Sequence, residues 1–128
     1  MPSYTINPQH RDGNPNKSQW TVLEADEKSI FDVSYSAGWK DEDDKKCFGI
    51  KNSGTTLSVI GRCKDRIIDL KIAKFVSDHQ FIWHGYPANY RTNQQDKPST
   101  SILKKWVDED FITKSKMGKI TRGQKCDL

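Results

Sequence analysis

No stretch of this sequence is apolar for anything close to the roughly 20 residues that a membrane-spanning helix needs, so no membrane partner is expected. The first residues carry neither a basic cluster nor an apolar run, which argues against a secretory signal and for a cytoplasmic location. Cysteine is scarce: Cys47, Cys63 and Cys126 are an odd number without CxxC spacing. That pattern fits free thiols in a reducing compartment better than a disulfide framework or a zinc knuckle. A glycine-rich phosphate loop and a dinucleotide fingerprint are both missing, so no cofactor is expected. Metal is not expected either, because the four successive acids at 41–44 cannot converge on one ion from different directions.

What is present bounds the chain further. Only 34% of the residues are hydrophobic and 30% are charged, yet 13 are aromatic, too many for a disordered polypeptide. A length of 128 residues suits one domain with one real core. Three of the five prolines fall within residues 1–18, which read as an irregular arm laid on the body through Tyr4 and Ile6, with His10 exposed. Residues 19–125 then form a single α+β domain.

The net charge of +4 conceals a polarity. Residues 1–44 hold four basic groups against nine acids, whereas 45–76 hold eight against two and 97–128 eight against four. An acidic third joined to a basic remainder suits either a polyanion-binding face or a protein partner of matching polarity.

Along the domain, a mostly antiparallel sheet is expected over residues 19–84. Strand formers at 20–23 and an alternation at 30–35 suggest two strands there, with a short helix as the other choice. Residues 41–44 read as a solvated loop, and 47–51 leads into a hairpin at Asn52, Ser53 and Gly54. Ile67 to Val76 fits a strand better than a helix because of its β-branched content, giving a three-stranded meander over 46–76. Ser99 to Ser101 precede Ile102, Leu103, Trp106 and Val107 at helical spacing, the signature of a capped amphipathic helix. After it comes a basic tail, expected to be a hairpin turning at Met117 and Gly118. A helix followed by a lysine-rich hairpin would match the helix-and-wing half of a DNA-binding domain, without a second helix to complete a helix-turn-helix.

Chemistry concentrates at residues 81–91, where four aromatics accompany His84, Gly85, Pro87 and Arg91. Gly85 and Pro87 argue against a continuous central strand, so this stretch reads as a shaped loop. His84, Tyr86, Arg91 and Lys71 are the parts of a metal-independent endoribonuclease of the toxin type, with proton transfer by His or Tyr and cations stabilising the phosphorane-like charge. No motif of such enzymes is matched. Arg62, Lys64, Arg66 and Lys74, with Lys114, Lys116, Lys119 and Arg122 of the tail, are candidate phosphate contacts, and Trp83 and Tyr90 candidate stacking platforms. The expectation is a nucleic-acid-binding protein, for RNA before DNA, with catalysis at His84 as its sharper form. The alternative is a non-enzymatic inhibitor or immunity-type protein that meets another protein through the acidic N-terminal third.

Overall fold

The computed structural model describes residues 2–54, 56–63 and 68–128. The class is α+β. Its centre is a sheet of strands β1 (Ser3–Tyr4), β3 (Lys46–Gly49), β8 (Ile72–Ser77) and β9 (Ile82–Ala88), in the order β1-β9-β8-β3. Strands β3, β8 and β9 are antiparallel, and β1 lies parallel to β9. Because side chains alternate along a strand, the register sorts them into two faces. Cys47, Phe75 and Trp83 go to one face and pack with helix α1 (Glu24–Ser36) through Ile30 and Phe31. Phe48 and Ile72 go to the other and pack with helix α2 (Thr100–Asp108) and helix α3 (Lys114–Thr121) through Ile102, Trp106 and Ile120. Helices therefore cover both faces. Among the described residues no helix is long and apolar enough to cross a membrane.

The two strands expected between 19 and 35 reduce to one. Strand β2 (Gln19–Trp20) forms, and α1 follows where the second strand was expected. Glu24, Asp26 and Glu27 place negative charge in the first turn, where it suits the helix dipole. Glu27, Ile30, Phe31 and Ser34 then bury a stripe at helical spacing, so the 3.6-residue period overrides the short alternation. Glu27 is fully buried, and Arg11 from the arm meets it with Nη2 at 2.8 Å while Tyr4 donates its hydroxyl to the same carboxylate. This trio clamps the arm to α1. Tyr4 also packs on Phe31, ring centroids 4.8 Å apart.

The strand preference for 67–76 holds at 69–70 and 72–76, Ile67 lying outside the described residues, but the meander does not form. Strand β7 (Asp69–Leu70) belongs to a separate three-stranded sheet with β2 and β6 (Gly61–Arg62), and the chain changes sheets at Lys71 before β8 begins. The hairpin at Asn52 is present: β4 (Asn52–Ser53) pairs with β5 (Thr56–Leu57), and Gly54 takes the positive φ of 80° that such turns require.

Gly85 and Pro87 do not break the strand, contrary to expectation, and β9 runs through both. A Cβ on Gly85 would stand 2.2 Å from Cδ1 of Phe75, so the glycine is where it is to admit that ring. Pro87 lies past the two residues of β9 that β1 covers, on an open edge where a missing N–H is tolerated. Its ring packs on β6, where a Cβ on Gly61 would come within 2.3 Å of Pro87 Cγ.

At the C-terminal end α2 starts as expected, with the Ser99 side chain accepting from the Ile102 amide. The hairpin expected at Met117 and Gly118 is instead α3. Thr113 caps it by accepting from the Lys116 amide, Ile120 is buried, and Gly123 at φ +71° lets the chain leave.

One prediction tests the reason for Gly85. Gly85→Ala is expected to cost about 1–3 kcal/mol by overpacking, and the loss should shrink when Phe75→Leu is added. Urea unfolding of the single and double variants reads this, and strictly additive losses would show that the Phe75 ring is not the obstacle.

Candidate nucleic-acid interface

Alternation on β9 puts His84 and Tyr86 on the face that also carries Lys74 and Val76, their partners on β8. Lys74 is only 4% exposed, so it cannot serve as the phosphate contact expected of it. It donates to the Gln95 carbonyl at 2.6 Å and stands 3.8 Å from Asp96 Oδ1. Burial lowers its pKa, and the Asp96 charge works against that shift.

Asp96, itself buried, gathers the surrounding groups. Its Oδ1 accepts from the Tyr86 hydroxyl at 2.7 Å, and its Oδ2 from the Asn89 amide at 3.0 Å and from Asn93 Nδ2 at 3.4 Å. Burial and this hydrogen bond push the Tyr86 pKa well above the ordinary tyrosine value, so the phenol stays neutral and is a poor proton carrier. His10, expected to be exposed, is buried and stacks on Tyr86 with centroids 5.1 Å apart. Its Nδ1–H donates to the Ser18 carbonyl at 2.8 Å. Burial holds its pKa below the usual histidine value, and the nearby charges of Lys17 and His84 act in the same direction.

Two cavities open beside this cluster. One, about 520 Å³, lies between the N-terminal arm and β9 and is lined by Asn16, Lys17, Tyr86, Asn93 and Gln95 among others. The second, about 500 Å³, is lined by Lys71, Arg91 and Lys125 together with Asp69, Tyr90 and Cys126. Ile68 and Asn89 line both, so the cavities adjoin. A third groove of about 550 Å³ runs between α2 and α3, with Lys104, Lys114 and Arg122 on its walls and Val107 and Met117 within it.

The candidate residues are thereby distributed. Lys71 and Arg91 share one cavity, and Tyr86 faces the adjoining one. His84 pairs with Val76, four residues along β8 from Ile72 and so about 13 Å further up the strand at ~3.3 Å per residue. The four groups considered for catalysis are not gathered at one point. Trp83 and Tyr90 are corrections: both are buried, Trp83 edge-on to Tyr35 in the α1-side core and Tyr90 in the opposite core with its hydroxyl donating to the Gln124 carbonyl. Neither offers a face to a base. Arg62 is exposed but paired with Asp69 at 3.1 Å. Lys64 and Arg66 lie outside the described residues. Lys114 and Lys119 are exposed on α3 and Arg122 at its C-cap, and Lys116 is half-buried on the helix.

Neither family models, nor curated proteins, nor solved structures give a match to this chain. The reading of the site therefore rests on its geometry. Sequence reasoning overlooked Asp96 and the amides around it, Asn16, Asn89, Asn93 and Gln95. The density of Asn and Gln at 89–95 is the signal the sequence carries for them.

Two predictions follow from the Asp96 cluster. Asp96→Ala leaves Lys74 buried without a counter-charge and is expected to cost about 3–5 kcal/mol, whereas Tyr86→Phe removes one hydrogen bond and costs about 1 kcal/mol. Chemical denaturation that gives the two equal losses would rule out the ion pair as the anchor. His10, with its folded pKa depressed, contributes stability that is whole above the unfolded histidine value of 6.5 and is lost as pH falls through the folded pKa. His10→Gln should flatten the stability profile in that window, and an unaltered slope in urea titrations below pH 6.5 would refute the assignment.

Proposed function

We propose that this protein binds single-stranded nucleic acid, RNA before DNA, through the exposed cations of α3 and the cavity that Lys71, Arg91 and Lys125 line. One contrast carries this reading. In the acidic third, Glu27, Asp26, Asp32 and Asp44 each have a cation partner, respectively Arg11, Lys51, Lys28 and Lys40. On the opposite side, among the described residues, Lys114, Lys116, Lys119, Arg122 and Lys125 have no acid within ion-pairing distance, and the sequence from Lys114 to Lys125 contains none. Like charges held together on α3 and the segment just after it repel one another, and a polyanion relieves that repulsion while releasing its own counterions.

The inhibitor alternative draws less support, because four of the nine acids of residues 1–44 are already paired within the fold and steer a basic partner weakly. Binding is favoured over cleavage as well. The Tyr86 phenol is committed to Asp96, and His84 stands along the strand from the cavity that holds Lys71 and Arg91. The single-strand preference comes from the form of the surface, a run of cations beside adjoining cavities, instead of a long helix able to lie in a major groove.

Retardation of labelled single-stranded RNA, single-stranded DNA and duplex DNA across a salt series tests the proposal. The triple substitution Lys114→Gln, Lys119→Gln, Arg122→Gln should lower the slope of log K against log salt by about 2, at ~0.7 per lost phosphate contact on a single strand. Arg62→Gln, whose charge is already paired, serves as the control and should change little. Equal slopes for the triple variant and the wild type would dismiss α3 as the interface.

A further inference from the structure

We infer that the cleft between the N-terminal arm and β9 receives one unstacked nucleobase of the bound strand and reads its edge. The inference deepens the nucleic-acid reading above and rests on it for the strand that delivers the base.

Four features of the cleft point to a base. Its volume of about 520 Å³ is in the range of small-molecule pockets, larger than a water site and smaller than a protein-docking groove. Four carboxamides, of Asn16, Asn89, Asn93 and Gln95, stand in its polar lining. A carboxamide offers donor and acceptor side by side, the pairing that base edges present, whereas an anion site would need converging cations and this cleft has only Lys17. Asn16 and Gln95 are exposed, and among the described residues neither side chain makes an internal hydrogen bond. Ile68, Pro87 and the Tyr86 ring add apolar wall that suits a flat heterocycle, beside further polar wall from His10, Ser18, Thr92 and Asp96.

The surroundings supply rigidity and continuity. Asp96 holds the Tyr86 hydroxyl, the Asn89 amide and the Asn93 side chain at once, which fixes the 89–96 segment before any ligand arrives. Ile68 and Asn89 line this cleft and also the cavity of Lys71, Arg91 and Lys125. A strand whose phosphates follow those cations would pass the mouth of the cleft, with Lys17 at its other lip. Sequence-selective recognition of single-stranded RNA works in this way, by splaying a base out of its stack into a polar pocket.

The test separates this inference from the interface reading. Affinities for the four ribohomopolymers and for an abasic strand of equal length are measured for the wild type and for Asn16→Ala with Gln95→Ala, two exposed positions outside the Asp96 cluster. The expected result is about tenfold discrimination among bases by the wild type, levelled in the double variant with the salt slope unchanged. In parallel, nucleoside monophosphates are titrated into the α3 triple variant and the backbone amide resonances of Asn89 and Asn93 are followed. Shifts there with strand affinity lost support the cleft independently of α3. Equal binding of all four strands and the abasic one, with no shift from any monophosphate, would overturn the cleft while leaving the interface standing. Failure of every strand to bind at low salt, with monophosphate shifts retained, would remove the interface and keep the cleft.

Discussion

Lys74 occupies a sheet position with Phe48 opposite it on one side and Tyr86 on the other, in a row otherwise apolar where it continues under α2 and α3. An ammonium taken so far out of water has to be met by an anion, and Asp96 meets it from a segment with little regular structure of its own. The pair need not add net stability, since desolvation offsets much of the attraction. Its effect is positional. The carboxylate that neutralises Lys74 also accepts from Tyr86, Asn89 and Asn93, so one buried charge fixes how the connection from β9 to α2 lies across the sheet. The cleft and the neighbouring cavity both inherit their shape from that placement.

The two faces of the sheet divide the labour. The α1 face is closed by an aromatic cluster and by the Tyr4, Arg11 and Glu27 contacts that strap the arm down, and Asp26, Glu27 and Asp32 of α1 are each paired with a cation. The face under α2 and α3 sets a second core beneath an exposed basic helix, and its uncovered margin carries the polar groups of β9. Charge polarity along the chain thus becomes charge polarity across the molecule, because α1 and α3 pack on opposite sides of one sheet.

What was legible in the sequence was mainly local. Ser99 ahead of an apolar stripe, Asn52-Ser53-Gly54 before a strand and the exposed acids at 42–44 are short-range signals, and each has its counterpart in the structure, although Asp41 of the same run is half-buried. What escaped was set by contacts distant in the chain. Gly85 reads as a strand breaker until Phe75 is known to lie over it, and Pro87 until β1 is known to stop short. The alternation at 30–35 competed with a helical stripe that began at Glu27, a residue whose burial makes sense only once Arg11 and Tyr4 arrive from the arm. Lys74 looked like one more surface cation because nothing near it in the sequence announces Asp96. Trp83 and Tyr90 have the rings that base stacking needs, but the two cores bury them.

The cleft has walls from three pieces of chain distant in sequence, residues 10–18 of the arm, Cys63 with Ile68, and residues 86–96 from the end of β9 onward, which only folding brings together. In the unfolded polypeptide the site does not exist. Whatever fills it is therefore a ligand of the native state alone, and by mass action it holds the arm, the sheet and the Asp96 segment in place together. A ligand at a hundred times its dissociation constant would add about 2.7 kcal/mol to the free energy of unfolding, comparable with a sizeable share of what holds a domain of this size together. Occupancy and foldedness are thus one equilibrium seen from two ends, and a heat-stability shift would report a bound molecule even before its identity is known.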